Sequence, residues 1–103
     1  MDTALEENVM GALENVIDPE LGIDIVNLGL VYGSDMDDNG NTTVTMTLTA
    51  MGCPLAGQIE QDVKRCLADL PEVNEVTVNI VWNPPWTKDR MSRYAKIALG
   101  IPD

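Results

Sequence analysis

Thr43-Val-Thr-Met-Thr-Leu-Thr49 alternates polar and apolar side chains without a fault. A period of two marks a β-strand, which sends successive side chains to opposite faces. Val44, Met46 and Leu48 are expected on a buried face, and Thr43, Thr45, Thr47 and Thr49 on a polar one. Upstream, Ile25 to Tyr32 reads as a partner strand, with Val26, Leu28, Leu30 and Tyr32 alternating. Between the two, residues 34–41 (Ser-Asp-Met-Asp-Asp-Asn-Gly-Asn) carry turn chemistry, and Asn39-Gly40 supplies the positive φ of a reversal. An antiparallel hairpin follows.

Helical patterns flank this hairpin. Thr3 with Glu6 forms a capping box, and Leu5, Val9, Ala12, Leu13 and Val16 recur at helical spacing. The first helix is therefore predicted over residues 4–16, stopped by Pro19, which pushes Asp18 out of the α region. Met51-Gly-Cys-Pro54 leads into a second helix with proline at its first position. Its stripe is Leu55, Ile59, Val63, Cys66, Leu67 and Leu70, and Pro71 ends it. Val73 to Trp82 reads as a third strand with Val76, Val78, Ile80 and Trp82 buried. After the stiff link Asn83-Pro84-Pro85-Trp86, Thr87 is expected to cap a last helix over Lys88 to Leu99, closed by Gly100. The order αββαβα predicts an α+β, two-layer single domain over residues 1–103. Its small mixed three-stranded sheet carries the helices on one face.

Composition narrows the function. The chain of 103 residues has 45% apolar and 22% charged residues, as a globular domain does. No apolar run is long enough to cross a bilayer, and the acidic start lacks the basic region of a secretory leader, so a cytoplasmic protein is expected. Seventeen acids oppose six bases, for a net charge of −11. No base precedes Lys64, and four of the six lie at Lys88, Arg90, Arg93 and Lys96. Such an acidic body repels phosphate backbones and anionic lipid, so neither nucleic acid nor membrane is expected as a partner. Equally, the acids serve solubility. The absence of histidine excludes Ser-His-Asp and Cys-His catalysis and histidine ligation of metal. Two cysteines are too few for a disulfide scaffold or a four-thiolate site, and no glycine-rich phosphate loop is present.

Cys53 is the foremost candidate. A cysteine at the N-cap of a helix faces free N–H groups and the positive end of the dipole, which favour thiolate over thiol. The plainer reading is an inert cap in place of serine. Cys66, one turn beyond Val63 on the apolar stripe, is read as core. Asp18-Pro-Glu20 holds two carboxylates on one turn. From spacing alone a helix stop flanked by solvated acids is the stronger reading, and the pair matters chemically only if folding brings it to Cys53. Trp82 continues the buried alternation and is expected in the core. Trp86, outside any strand, is equally well a partner contact or a lid over the core. Arg90, Arg93 and Lys96 fall along one side of the last predicted helix. That side is a surface for an acidic partner or, more plainly, a solvated face.

Four stretches together resemble the PaaD-like metal–sulfur cluster assembly factors, which include the bacterial SufT-like proteins and the eukaryotic small subunit of the cytosolic iron–sulfur targeting complex. They are Asp18-Pro-Glu-Leu-Gly22, Ile25-Val-Asn-Leu-Gly-Leu-Val-Tyr32, Thr49-Ala-Met-Gly-Cys-Pro-Leu55, and Trp82-Asn-Pro-Pro-Trp86 with Met91-Ser92. The likeness runs from residue 4 to 101. It implies a small α+β domain in iron–sulfur protein maturation, with Cys53 as the family's reactive cysteine, Asp18 and Glu20 as its acidic pair, and Thr49 as the threonine near that cysteine. Ala50 and Met51 depart from the pattern, which often has a second hydroxyl residue and a proline there.

One thiolate cannot complete the usual four-cysteine ligation of a cluster. The expected role is therefore an accessory factor rather than an enzyme in the strict sense. Cys53 would hold iron or a cluster transiently, with no cofactor permanently bound. The partners expected are the assembly machinery and client apoproteins, and a homodimer is one way to share a cluster. Two rivals stand beside it. One is a thiol redox catalyst, which lacks a resolving cysteine unless Cys66 leaves the core. The other is a pure adaptor using the threonine face and Trp86.

Overall fold

The computed structural model describes residues 3–19, 21–48 and 56–101. Its centre is the alternating threonine segment, which forms β2 over Thr42–Met46. β1 (Val31–Met36) pairs antiparallel with it, Ser34 opposite Val44 and Met36 opposite Thr42. β3 (Val76–Ile80) pairs parallel on the other side, Val44 opposite Val78. The sheet order is β1-β2-β3. A parallel neighbour requires a crossover, and α2 (Ala56–Ala68) lies in that connection. α2 packs on β3, and α1 (Thr3–Leu13) packs on α2. The α+β order and the mixed three-stranded sheet are those expected.

Val44, Met46 and Leu48 are buried as the alternation requires, joined by Val9, Leu13, Ile59, Val63 and Leu67 from the helices. The threonine face is less uniform. Thr43 is exposed and Thr45 half-buried, but Thr47 is buried. β2 has ended by then, and the Thr47 N–H donates to the Leu30 carbonyl at 2.8 Å, which draws the chain under a neighbouring loop.

That loop replaces most of the predicted first strand. Residues 25–29 form turns, Asp24 before them makes an isolated bridge with Ile17, and β1 begins only at Val31. The Asp24 carboxylate accepts the Asn27 N–H at 2.9 Å, and the Leu28 N–H donates to the Asp24 carbonyl at 3.1 Å. A short polar side chain that bonds its own backbone competes with a sheet ladder in this way. Ile25, Leu28 and Leu30 still reach the core, each with no exposed surface. Conversely Ser34-Asp35-Met36, read as turn, is strand, and the reversal is confined to Asp37–Asn41. There the Asp37 carboxylate accepts N–H groups of Asn39 and Asn41, both at 2.9 Å.

Three further expectations are corrected. The first helix runs Thr3–Leu13, so Thr3 lies in it and the helix ends well before Pro19. The third strand stops at Ile80, and Trp82, expected in the core, is 39% exposed because it lies past the last ladder bond, from Val81 N–H to the Met46 carbonyl. The last helix is divided into a 3-10 turn over Lys88–Arg90 and α3 over Arg93–Leu99. Met91 between them is extended, and the Ser92 N–H donates to the Asn27 carbonyl at 2.8 Å, so no single helix can run through. Thr87 makes no capping bond. Ser92 caps α3 instead, its Oγ accepting the Ala95 N–H at 3.2 Å, and Gly100 closes the helix at φ 72°.

Candidate functional site

Cys53, Thr49 and Glu20 lie outside the described residues. In sequence, Thr49 and Cys53 fall between Leu48, after the end of β2, and Ala56, the start of α2. Asp18 is described. It is 5% exposed, its N–H donates to the Ile23 carbonyl, its own carbonyl accepts the Gly22 N–H at 2.7 Å, and its Oδ1 accepts the Leu21 N–H at 3.3 Å. Asp18 thus tightens the turn that bears it, and it is buried rather than a solvated flank of a helix stop. Thr47, just before the undescribed segment, has a buried hydroxyl with no hydrogen-bond partner among the described residues. Cys66 sits half-buried against the core as read, and burial pushes its thiol pKa up, only partly offset by Arg65. A thiol so shifted is a poor nucleophile.

Two of the motifs meet in space. Segments 24–32 and 82–92, separated by 52 to 65 residues at their contacts, are joined along their length. The Trp86 Nε1–H donates to the Leu28 carbonyl at 2.7 Å, the Tyr32 hydroxyl to the Pro84 carbonyl at 2.7 Å, and the Ser92 hydroxyl to Asn27 Oδ1 at 2.6 Å. Asn27 in turn donates through Nδ2 to Asp24 Oδ1 at 2.7 Å. A polar relay therefore runs from the buried Asp24 through Asn27 and Ser92 to the first turn of α3. Trp86 is half-buried against the core with its N–H committed inside the protein, a lid on that side of the domain.

Tyr32 owes its direction to a β-bulge. Val31 faces Met46 and Gly33 faces Thr45, so Tyr32 is the extra residue on β1. Its ring lies under Arg90, whose guanidinium carbon is 4.6 Å from the ring centroid. Gly29, at φ 76°, admits the Arg90 backbone, because a Cβ there would overlap the Arg90 carbonyl. Arg90 was expected beside Arg93 and Lys96 on one helix. It belongs instead to the 3-10 turn and lines an open cleft of about 470 Å³ with Gly29, Val31, Tyr32 and Pro84. A second, more polar cleft of about 540 Å³ lies on α2 between Gly57, Gln58, Gln61, Asp62 and Arg65. Among the described residues no three acids or cysteines converge as a metal site.

Sequence reasoning missed Asp24, Asn27, Gly29, Tyr32 and Ser92 as one assembly. Asn27-Leu-Gly29 inside a supposed strand was the available signal, since asparagine and glycine favour turns over ladders.

The chain is similar to known proteins along most of its length. A model of the iron–sulfur cluster assembly protein family matches residues 6–80. The Fe-S protein maturation auxiliary factor YitW of Bacillus subtilis is 71% identical over 101 residues, covering 98% of this chain and 99% of that protein. The Fe-S protein maturation auxiliary factor SufT of Staphylococcus aureus is 69% identical over 86 residues, 84% of this chain and 98% of that one. Among solved structures, the domain of unknown function DUF59 from Bacillus anthracis superposes with a TM-score of 0.90 at 63% identity, covering 96% of this chain and 94% of that one.

Proposed function

This chain belongs to the iron–sulfur cluster assembly protein family, with SufT-like relatives, and from that premise we propose that it is an accessory factor in the maturation of iron–sulfur proteins. The observation that carries this reading is the near full-length likeness to YitW at 71% identity. In the proposal Cys53 supplies the working thiolate, and iron or an iron–sulfur cluster is cargo passed on to client apoproteins. Asp18, Glu20 and Thr49 support that thiolate. The buried, backbone-bonded Asp18 gives the acidic pair one rigid member. Trp86 offers the half of its ring that is not sealed against the core to a partner. The work is assigned to the cytoplasm, with the assembly machinery as donor and two chains sharing a cluster in transit. A single thiolate per chain favours such transient holding over permanent ligation.

The test is anaerobic reconstitution with iron and sulfide, wild type against Cys53→Ala, followed by absorption spectrum and native mass. A labile cluster on a dimer of wild type, absent from the variant, is the expected result. Equal loading of both proteins, together with full client maturation in cells carrying Cys53→Ser, would remove Cys53 from the mechanism.

A further inference from the structure

We propose that the cleft between Tyr32, Pro84 and Arg90 binds a carboxylate side chain of an acidic peptide segment, with the Arg90 guanidinium as its counter-ion. The cleft is built rather than incidental. The bulge aims Tyr32, the hydroxyl bond to the Pro84 carbonyl fixes its ring, and Gly29 lets the Arg90 backbone close in. The Arg90 guanidinium, held over the Tyr32 ring, has N–H groups that no described carboxylate takes up in an ion pair, and a carboxylate matches such a fork with two parallel hydrogen bonds.

Charge points the same way. The chain carries seventeen acids, yet Arg90 forms no ion pair with any described residue. The ion pairs among the described residues, Lys64–Glu60 and Arg65–Asp62, both lie within α2. Arg90 is the charged member among the described lining residues, so the cleft carries a local positive charge that attracts an anion which the net charge of −11 otherwise repels. That wider repulsion grows with ligand charge and disfavours a polyphosphate chain relative to a peptide bearing a few carboxylates. Val31, Pro84 and the Tyr32 ring add apolar wall for an aliphatic neighbour of the carboxylate. β1 is an edge strand, so an extended peptide laid beside it delivers alternate side chains to the cleft. The proposal concerns peptide binding at Arg90 and goes beyond the maturation role.

The test is a titration of the full chain, followed by amide and arginine Nε–H NMR shifts. The probe is an acetylated, amidated hexapeptide alternating leucine and glutamate, with its glutamine counterpart as control. The glutamate peptide is expected to shift Gly29, Val31, Tyr32 and Arg90, and the glutamine peptide is expected to bind at least about tenfold more weakly. Arg90→Gln, whose fold the same spectrum verifies, should lose about tenfold or more in affinity, and Arg90→Lys should fall between it and wild type. Raising salt from about 0.15 to about 1 M, which shortens the Debye length from about 8 to about 3 Å, should weaken binding. Peptide binding is read without iron or sulfide, so its failure is distinguishable from failure of the cluster experiment. Equal binding of the glutamine peptide or of Arg90→Gln would overturn the proposal. So would shifts confined to other surfaces, or displacement of the peptide by inorganic phosphate or a short oligothymidylate at lower concentration.

Discussion

Gly29→Ala isolates the contact on which the joined motifs depend. At φ 76° the backbone of Gly29 is left-handed, which costs a residue with a Cβ about 1–2 kcal/mol. The added carbon would also stand 2.6 Å from the Arg90 carbonyl carbon and 2.8 Å from its Cβ, and backbone cannot rotate away as a side-chain tip can. Overpacking of that kind costs a further 1–3 kcal/mol or so, which gives a total of about 2–5 kcal/mol. Against a total stability of about 5–15 kcal/mol this is a large fraction. Gly22→Ala is the matched control, because Gly22 has φ 71° but no described residue within 4 Å of its Cβ position. It should lose only the backbone share, about 1–2 kcal/mol. Urea unfolding of both variants measures the difference, and a melting temperature lower by about 4–8 °C per kcal/mol should accompany it. The Tyr32 ring resonances should move as Arg90 is displaced. If Gly29→Ala is no less stable than Gly22→Ala, the close approach of the two segments is wrong.

Thr47→Val replaces a buried hydroxyl that has no partner among the described residues by a methyl group of the same shape, and should be neutral or stabilising by up to about 1 kcal/mol. A loss of stability beyond about 1 kcal/mol would show that the hydroxyl is satisfied after all. Ser92→Ala removes the cap of α3 and the donor to Asn27 together, and should cost about 1–3 kcal/mol in thermal or urea unfolding. An unchanged stability would sever the relay from Asp24. The Asn41 and Asn39 N–H groups beside Asp37 hold its carboxyl pKa below the ordinary 3.8. A depressed folded value contributes stability that is present above the unfolded pKa and lost as pH falls through the folded one. The turn amides should therefore titrate below pH 3.8, and Asp37→Asn should flatten that dependence. Titration of Asp37 at or above the ordinary value would refute it.

How much was legible in the chain varies residue by residue. The Thr43–Leu48 alternation places the central strand because a period of two has one physical realisation in a half-buried segment. The helical stripes, Gly100 at the end of α3 and the αββαβα order follow from equally local rules. Ile25 to Leu30 was ambiguous by nature. Ile25 and Leu28 sit at helical spacing, Leu28 and Leu30 at strand spacing, and a short apolar run satisfies both. Only the folded chain decided between them, through the bonds from Asp24 to Asn27 and from Asn27 to Ser92. The same bonding divided the last helix, where local propensity favoured continuity but the Ser92 N–H found its acceptor across the domain. By itself the sequence determined the family, the order of elements and the candidates Cys53, Asp18, Glu20, Thr49 and Trp86. The seating of Tyr32 under Arg90 was decided by the tertiary structure alone, because a contact between residues 58 positions apart has no local signal; it depends on a bulge and a glycine from one segment and a carbonyl from another.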